Sequence, residues 1–258
     1  MSLMLSERRG AVAILTLNNP EKYNALGGSI LAEFSAAFDS VAADPAIRSI
    51  LVTGAGKGFC GGAQLGTPTF DSGAGVAELI RGALNPLIEK VRACPIPVVV
   101  AVNGPAAGAG VGLALMGDIV IAARSARFVL SFVKLGAALD GGTSLLVQRA
   151  VGAPRARALA LLGEPLSADM AAEWGLIWKA VDDTDLMPQA LALAHKLADG
   201  PPVANGLIKA QIEGAPGETL AQALEDEAVA QSKAFATRDL KEGAAAFMER
   251  RAPQFAGR

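Results

Sequence analysis

Apolar runs and amphipathic stretches alternate along the first 180 residues of the chain. Short runs rich in Val, Ile and Leu, such as 97–104 (PVVVAVNG), have the length and composition of buried strands. The stretches between them place apolar residues at three- and four-residue spacings, which predicts helices with one buried face. Because strands that alternate with helices favour parallel pairing and right-handed crossovers, this part of the chain is predicted to be an α/β body.

The boundaries of the predicted elements follow from this pattern and from the Gly and Pro residues that interrupt it. Strands are predicted over residues 3–17, 49–53, 97–104, 118–123, 125–130 and 176–181. Helices are predicted over residues 26–43, 76–91, 112–117, 143–162 and 168–174, and beyond residue 182 only helices follow, at about 185–198, 202–213, 218–235 and 239–250. Thr143 or Ser144 is the predicted cap of the helix at 143–162, which is expected to bend near Pro154.

Composition narrows the class of protein. The 258 residues are 52% hydrophobic and 19% charged, which excludes a disordered chain. The longest nearly apolar run, 96–102, is far shorter than the ~20 residues of a membrane-spanning helix, and no signal segment is expected before the first strand. A net charge of −2 without a basic stripe argues against a nucleic-acid partner. Two widely separated cysteines, Cys60 and Cys94, favour a reducing cytoplasm.

Two segments share one design, in which a buried strand leads into a glycine-rich turn. They are 54–66 (GAGKGFCGGAQLG) and 105–112 (PAAGAGVG). Such turns let a ligand approach backbone N–H groups, and two of them could direct their donors to one oxygen, as in an oxyanion hole. The same glycines could instead serve only tight turns and close packing of helices on strands. Neither segment has the spacing of a nucleotide-binding motif.

Few residues are available for acid–base chemistry. His195 is the only histidine, and its surroundings (LALAHKLADG) are those of a partly exposed helix residue, so no histidine-based triad or metal site is predicted. Asp140, in LGAALDGGTS, is the best-placed carboxylate because it lies between an apolar stretch and a glycine pair. It could transfer protons, or it could be an ordinary turn former or helix cap.

Motifs with a known counterpart cover nearly the whole chain. They are NNPEKYNALG at 18–27, GAGKGFCGGAQL at 54–65, AVNGPAAGAGVGLALMGDIVIA at 101–122, FVLSFVKLG at 128–136, EWGLIWKAV at 173–181 and KEGAAAFMERRAPQFAG at 241–257. In this order they resemble the crotonase (enoyl-CoA hydratase/isomerase) superfamily, and most closely its isomerase-type members. The resemblance implies a ββα-spiral core at residues 1–198 and a C-terminal helical oligomerisation region at 199–258. It also implies homotrimers, or hexamers as dimers of trimers, a coenzyme A thioester as substrate, and no metal or redox cofactor.

The resemblance also assigns roles to individual residues. The backbone N–H groups of Ala63 and Ala109 would hold the thioester oxygen. The residues expected along the coenzyme A moiety are Lys22, Ala25, Leu26, Gln64 and Leu65. The residues expected to line the acyl pocket are Val76, Leu79, Ile80, Phe132 and Leu135, although the apolar stripe of the helix at about 74–92 could equally be plain core.

Departures from the family pattern bear on the reaction. The two glutamates with which enoyl-CoA hydratases activate water fall on Gly112 and Phe132, and neither residue can transfer a proton. Asp140 falls where isomerase-type members place a single acid–base carboxylate, although this chain has one residue fewer before the following glycine pair and Leu139 in place of the usual proline. Its apolar surroundings are expected to raise its pKa.

The reaction predicted from these departures is isomerisation of an enoyl-CoA double bond by Asp140, with a backbone oxyanion hole. One alternative is another CoA-ester reaction in a hydratase-labelled member, including nucleophilic attack by Asp140. The other alternative is a non-catalytic paralogue that binds a CoA ester.

Overall fold

A computed structural model describes residues 2–66 and 72–257. Strands and helices alternate along the chain as far as residue 181. The strands are β1 Met4–Arg9, β2 Val12–Leu17, β3 Ser49–Gly54, β4 Val98–Val102, β5 Ala106–Ala107, β6 Ile119–Ala123, β7 Arg127–Val129, β8 Leu166–Ser167 and β9 Lys179–Val181. The helices are α1 Gly28–Ala42, α2 Gly73–Leu79, α3 Asn85–Ala93, α4 Ala109–Leu115, α5 Thr143–Leu162, α6 Ala168–Glu173, α7 Leu186–Ala198, α8 Pro202–Gly214, α9 Leu220–Phe235 and α10 Arg238–Glu249.

Six strands form the main sheet, in the order β1-β2-β3-β4-β6-β9. Only β1 and β2 pair antiparallel, and every other neighbour in this sheet is parallel. Strand β4 is buried on both faces: Val98, Val100 and Val102 pack into one apolar cluster, and Val99 and Ala101 pack into another. A second, smaller sheet has the order β5-β7-β8. The α/β prediction with mainly parallel pairing is confirmed.

Helix α7 covers one face of the main sheet. Its buried positions Leu186, Ala190, Ala194 and Ala198 recur every four residues and therefore lie on one side of the helix. They pack against the cluster that contains Val99 of β4. Because three of these four residues are alanines, the helix axis can lie close to the strands.

Charged groups connect α8 to the body. Lys209 Nζ lies 2.9 Å from Asp118 Oδ2, and the same oxygen accepts a hydrogen bond from the Val98 N–H at 2.7 Å. Arg92 of α3 pairs with Glu213 near the end of α8. The start of α8 and the chain's C-terminal residues are also joined to the body through Arg48, which donates to the carbonyls of Gly200 and Phe255.

The last two helices carry large apolar side chains on their outer surfaces. Among the exposed ones are Leu220, Leu224, Phe235, Phe247 and Met248. None of the described helices combines the length and the apolar character required to cross a bilayer.

The structure differs from the predicted elements in several details. The single strand predicted over 3–17 is a hairpin, because the chain turns at Gly10 between β1 and β2. The continuous helix predicted over 76–91 is interrupted by a π-helical turn at Ile80–Leu84, which ends two residues before Pro86, a residue with no N–H to donate. The short strands β5 and β8 were not predicted, since two residues cannot show a period.

Helix α5 also departs from expectation at its start and at its bend. The cap position is occupied by Gly142, without a side-chain capping bond, so the prediction of Thr143 or Ser144 as the cap was wrong. The Thr143 hydroxyl instead donates to the Asp140 carbonyl at 2.7 Å. The bend expected near Pro154 occurs at Gly152, whose backbone is not helical.

Candidate active site

Asn24 fixes the first glycine-rich turn. Its side chain is fully buried, and its Nδ2 donates to the carbonyls of Ala55, Gly58 and Phe59 at 2.9–3.1 Å. Its Oδ1 accepts the Asn19 N–H at 2.8 Å. The turn that follows β2 and the turn that follows β3 are therefore held together by one amide group.

The second glycine-rich turn is joined to the first by backbone hydrogen bonds. The carbonyl of Pro105 accepts the N–H groups of Phe59 and Cys60, and the carbonyl of Cys60 accepts the Ala107 N–H at 2.9 Å. Ala106 of β5 therefore pairs with Cys60 in a parallel bridge. The two turns that the sequence singled out form one hydrogen-bonded unit.

Gly62 brings the two turns into direct contact. Its φ is +85°, and a Cβ at this position would lie 2.6 Å from the Ala107 carbonyl oxygen and 3.7 Å from the Ala109 nitrogen. Any side chain would force the turns apart, because real Cβ atoms do not approach a backbone oxygen so closely. Residue 62 is therefore glycine for two reasons, and Ala63 lies close to the first turn of α4 as a result.

The N–H groups of Ala63 and Ala109 are both without a hydrogen-bond acceptor among the residues that the structure describes. Leu26 bridges to the residues on either side of Ala63, by donating to the Gly62 carbonyl and accepting from Gln64, so the Ala63 N–H faces away from Leu26. Ala109 is the first residue of α4, where an N–H has no partner within the helix. It follows Gly108, whose φ and ψ of 53° and −126° are essentially confined to glycine.

A small apolar pocket lies at this point. Its volume is about 20 Å³, enough for about one water molecule. The described residues that line it are Leu26, Leu31, Ala63, Val76, Leu79, Ile80, Leu84, Ala109 and Asp140. The structure therefore brings together the two predicted backbone donors, the predicted acid–base residue and three of the five predicted acyl-pocket residues.

Asp140 supplies the carboxyl group of this pocket. Its Oδ1 is buried and has no hydrogen-bond partner in the part of the chain that the structure describes, and burial raises the pKa of the carboxyl group from 3.8 to about 6. Thr143 fixes the backbone here, since its hydroxyl and its N–H both donate to the Asp140 carbonyl. The carboxyl group can therefore take up or release a proton near neutral pH without first breaking a hydrogen bond at that oxygen.

The remaining acyl-pocket predictions fall outside the pocket lining. Phe132 is buried, with its ring 3.7 Å from where a Cβ of Gly108 would be, so it packs behind the second turn. Leu135 is 60% exposed and does not line the pocket in this chain alone. The other three predicted residues, Val76, Leu79 and Ile80, form the wall that α2 and the π-helical turn provide.

The residues predicted to contact coenzyme A lie on two adjoining segments. These residues are Lys22, Ala25, Leu26, Gln64 and Leu65. Leu26 is 3% exposed and lines the pocket, whereas Lys22 is exposed and Leu65 is 57% exposed. The segments thus run from the pocket to the surface, and their contact with coenzyme A stays a prediction.

Sequence reasoning missed the roles of three residues near the site. Asn24 and Thr143 organise the turns that carry Ala63 and Asp140, and Asn103 accepts the Gly54 N–H and donates to the Gly56 carbonyl. The signals were present, because Asn24 lies in the NNPEKYNALG motif and Asn103 in AVNG. The roles of the two asparagines depend on long-range hydrogen bonds, which a local pattern does not reveal, whereas Thr143 bonds to a carbonyl only three residues away and was predicted as a helix cap instead.

Known proteins resemble this chain along nearly its whole length. The family model described as enoyl-CoA hydratase/isomerase matches residues 7–258. A protein of Escherichia coli (strain K12) named 1,2-epoxyphenylacetyl-CoA isomerase is 44% identical over 261 residues, with all of both chains covered.

Solved structures agree with the chain in fold. An enoyl-CoA hydratase from Bacillus anthracis superposes with a TM-score of 0.95 at 30% identity and covers 99% of this chain and 100% of its own. An enoyl-CoA hydratase from Polaromonas sp. JS666 superposes with a TM-score of 0.93 at 37% identity, over 98% of this chain and 99% of its own.

Proposed function

The chain belongs to the enoyl-CoA hydratase/isomerase family and has the crotonase fold, and we propose that it shifts the double bond of an enoyl-CoA thioester, with Asp140 as its acid–base group. One observation carries the proposal: among the described residues that line the pocket beside Ala63 and Ala109, the carboxyl group comes from Asp140 alone. An isomerisation removes a proton from one carbon and returns it to another, so a single carboxyl group suffices.

The first step is polarisation of the substrate. The thioester carbonyl oxygen accepts hydrogen bonds from the N–H groups of Ala63 and Ala109, which have no other acceptor among the described residues. Negative charge that develops on this oxygen is stabilised by donors that are already in place, and one such donor contributes about 3–4 kcal/mol to a transition state of this kind. The protons on the α-carbon of the thioester become more acidic.

Proton transfer follows through Asp140. Its carboxylate removes an α-proton from a 3-enoyl thioester, and the electron pair delocalises into a dienolate that the two N–H groups stabilise. The same carboxyl group then returns the proton to the γ-carbon, which leaves the double bond conjugated with the carbonyl. No atom or charge is gained or lost, and the step requires no redox partner or metal.

The apolar setting of Asp140 suits this exchange. With a pKa of about 6 the group is ionised at neutral pH and yet is a stronger base than an exposed aspartate. The family resemblance places the two hydratase glutamates at Gly112 and Phe132, so both carboxylates of the two-glutamate mechanism are missing and water addition by that route is disfavoured.

We extend the proposal to assembly and location. The exposed apolar side chains of α9 and α10, such as Leu220 and Phe247, support a homotrimer or a dimer of trimers in which other subunits cover them. Two unpaired, buried cysteines suit the reducing conditions of the cytoplasm.

Asp140→Asn tests the function directly. Turnover of a 3-enoyl-CoA is expected to fall by about three orders of magnitude, while the binding of the CoA ester, followed by calorimetry, changes by less than about threefold. Asp39→Asn is the matched control, because Asp39 is exposed and, among the described residues, its carboxylate pairs with the Lys90 ammonium group alone. Full turnover in Asp140→Asn would overturn the assignment, and binding without turnover in the wild type would favour the non-catalytic alternative.

A second candidate substrate comes from the relative in E. coli. Its name specifies the isomerisation of 1,2-epoxyphenylacetyl-CoA, and it is 44% identical to this chain. A ring-epoxide CoA thioester therefore belongs in the same assay beside 2-enoyl and 3-enoyl thioesters. Faster turnover of the epoxide, lost in Asp140→Asn, would assign ring isomerisation, and a covalent ester on Asp140 seen by mass spectrometry would assign nucleophilic chemistry instead.

A further inference from the structure

The turn that carries Asp140 lies directly on helix α4. A Cβ at Gly141 would be 3.4 Å from the Cα of Ala109, in ordinary contact. A Cβ at Gly112 would overlap the Gly141 carbonyl oxygen and would lie 2.9 Å from its carbonyl carbon and 3.1 Å from its Cα. Residues 109 and 112 are three apart on α4 and so face the same side. The backbone of residue 141 therefore occupies the space that a side chain at position 112 would fill.

A second contact holds the same turn from the other end. Thr143 is 1% exposed, and its hydroxyl donates to the Asp140 carbonyl at 2.7 Å, in addition to its N–H at 3.1 Å. A buried hydroxyl that donates to a carbonyl three residues earlier restricts the turn at the residue whose side chain enters the pocket. Among the described residues, the buried oxygen of the carboxyl group has no hydrogen-bond partner, so no bond at that oxygen fixes the group independently of the backbone that carries it.

We propose that Gly112 and Thr143 are positioning residues for Asp140: the missing side chain at 112 lets the turn at 140–142 lie against α4, and the Thr143 hydroxyl holds it there, so that the carboxyl group reaches the pocket beside Ala109. The kinetic test of this inference rests on the function proposed above. Its structural content stands independently of that function, because it concerns only where the carboxyl group is held.

Gly112→Ala is the main test. The added methyl group must displace the Gly141 backbone and with it Asp140. We expect kcat for the 3-enoyl-CoA to fall about tenfold or more, with KM within about twofold, because CoA contacts remain while the proton-transfer geometry is lost. As the carboxyl group moves toward solvent, the midpoint of the pH profile should move below 6.

Gly117→Ala is the matched steric control. Gly117 lies just beyond the other end of α4, where a Cβ would overlap the side chain of Val100 and its nearest neighbours belong to β4, not to the turn at 140–142. It should lower the thermal unfolding temperature as Gly112→Ala does, but keep the wild-type kcat and pH midpoint. A folded Gly112→Ala enzyme with wild-type kcat and midpoint would overturn the proposal.

Thr143→Val keeps the proposal testable if Gly112→Ala does not fold. Valine has the shape of threonine but lacks the hydroxyl, so it removes one hydrogen bond to the Asp140 carbonyl. We expect kcat to fall about threefold with the same direction of pH shift. If Thr143→Val kept the wild-type kcat and the wild-type pH midpoint, that result would also contradict the proposal.

Two further measurements separate this inference from the proposed function. In the double variant Gly112→Ala/Asp140→Asn, the first substitution should cause no additional loss, since it acts through Asp140. A crystal structure of Gly112→Ala should show the Asp140 carboxyl group withdrawn from Ala109. If Asp140→Asn kept full turnover while that structure showed the displacement, the function would fail and the positioning would stand. An undisplaced Asp140 would overturn the positioning alone.

Discussion

Asn24 and Asn103 donate to the same backbone carbonyl, that of Gly58, with Nδ2–O distances of 2.9 and 3.4 Å. The two asparagines come from the turns after β2 and β4, and Gly58 lies in the turn after β3. Three consecutive crossovers of the sheet therefore meet at one oxygen. The position of Ala63, five residues further along, depends on this junction.

Asn24→Asp should test the junction with almost no change of shape. A carboxylate cannot donate to the carbonyls of Ala55, Gly58 and Phe59, and its buried charge would face their oxygens. We expect the free energy of unfolding to fall by about 2–4 kcal/mol, measured by denaturant titration. In the control Asn205→Asp, a single half-buried bond to the Leu197 carbonyl is lost, and the cost should stay near 1 kcal/mol. Equal losses in the two variants would argue against a special role for Asn24.

The activity is expected to follow the ionisation of Asp140. Because isomerisation begins with the carboxylate, kcat/KM should rise with pH and level off above about 6, the pKa that burial gives this group. The measurement is a pH–rate profile with a non-titrating substrate. A midpoint near 4 would mean that the pocket does not desolvate the carboxyl group.

The same burial should cost stability. The pKa of Asp140 is raised in the folded state, so its ionisation opposes folding: the cost is absent below the unfolded-state pKa of 3.8, grows up to about 6 and is constant above. The full shift corresponds to about 3 kcal/mol, and partial exposure of the group reduces this to about 1–2 kcal/mol.

Asp140→Asn should therefore unfold at a higher temperature than the wild type, by about 2–6 °C at pH near 8 and by less at pH near 5. Calorimetry at the two pH values measures this difference. The absence of any pH dependence would show that Asp140 is solvated in the folded protein.

Cys60 should resist thiol reagents in the native protein. It lies at the junction of the two glycine-rich turns, is 0% exposed, and burial raises the pKa of its thiol to about 12. In a Cys94→Ser background, a disulfide reagent should react with Cys60 only after unfolding by guanidinium. Rapid reaction of the folded protein would indicate that the turns open on the timescale of the assay.

The parallel body and the C-terminal helices could be predicted from the sequence because their signals are local. Apolar runs such as 97–104 report burial directly, and the predicted bounds of α7 and α8 agree with the structure to within one residue. The predicted convergence of Ala63, Ala109 and Asp140 came from the family resemblance. The structure places all three on one pocket, even with one residue fewer between Asp140 and the glycine pair.

Features that depend on distant partners could not be predicted in this way. Three bonds of Asn24 reach carbonyls more than 30 residues away, and the contact between Gly112 and Gly141 joins two glycine-rich segments whose proximity neither local pattern shows. A local pattern can also mislead. Leu135 is apolar and lies in a motif that resembles the family, yet it is 60% exposed in the single chain. Apolar character predicts burial, but not which surface covers the residue.

The two N–H groups at Ala63 and Ala109 belong to the main chain, and every amino acid except proline supplies such a group. Replacing either alanine by any residue except proline therefore keeps the donor itself. Sensitivity should instead be concentrated at Gly62 and Gly108, where any substitution changes the course of the backbone. In evolutionary terms, the information that specifies this site resides largely in positions where a side chain is missing.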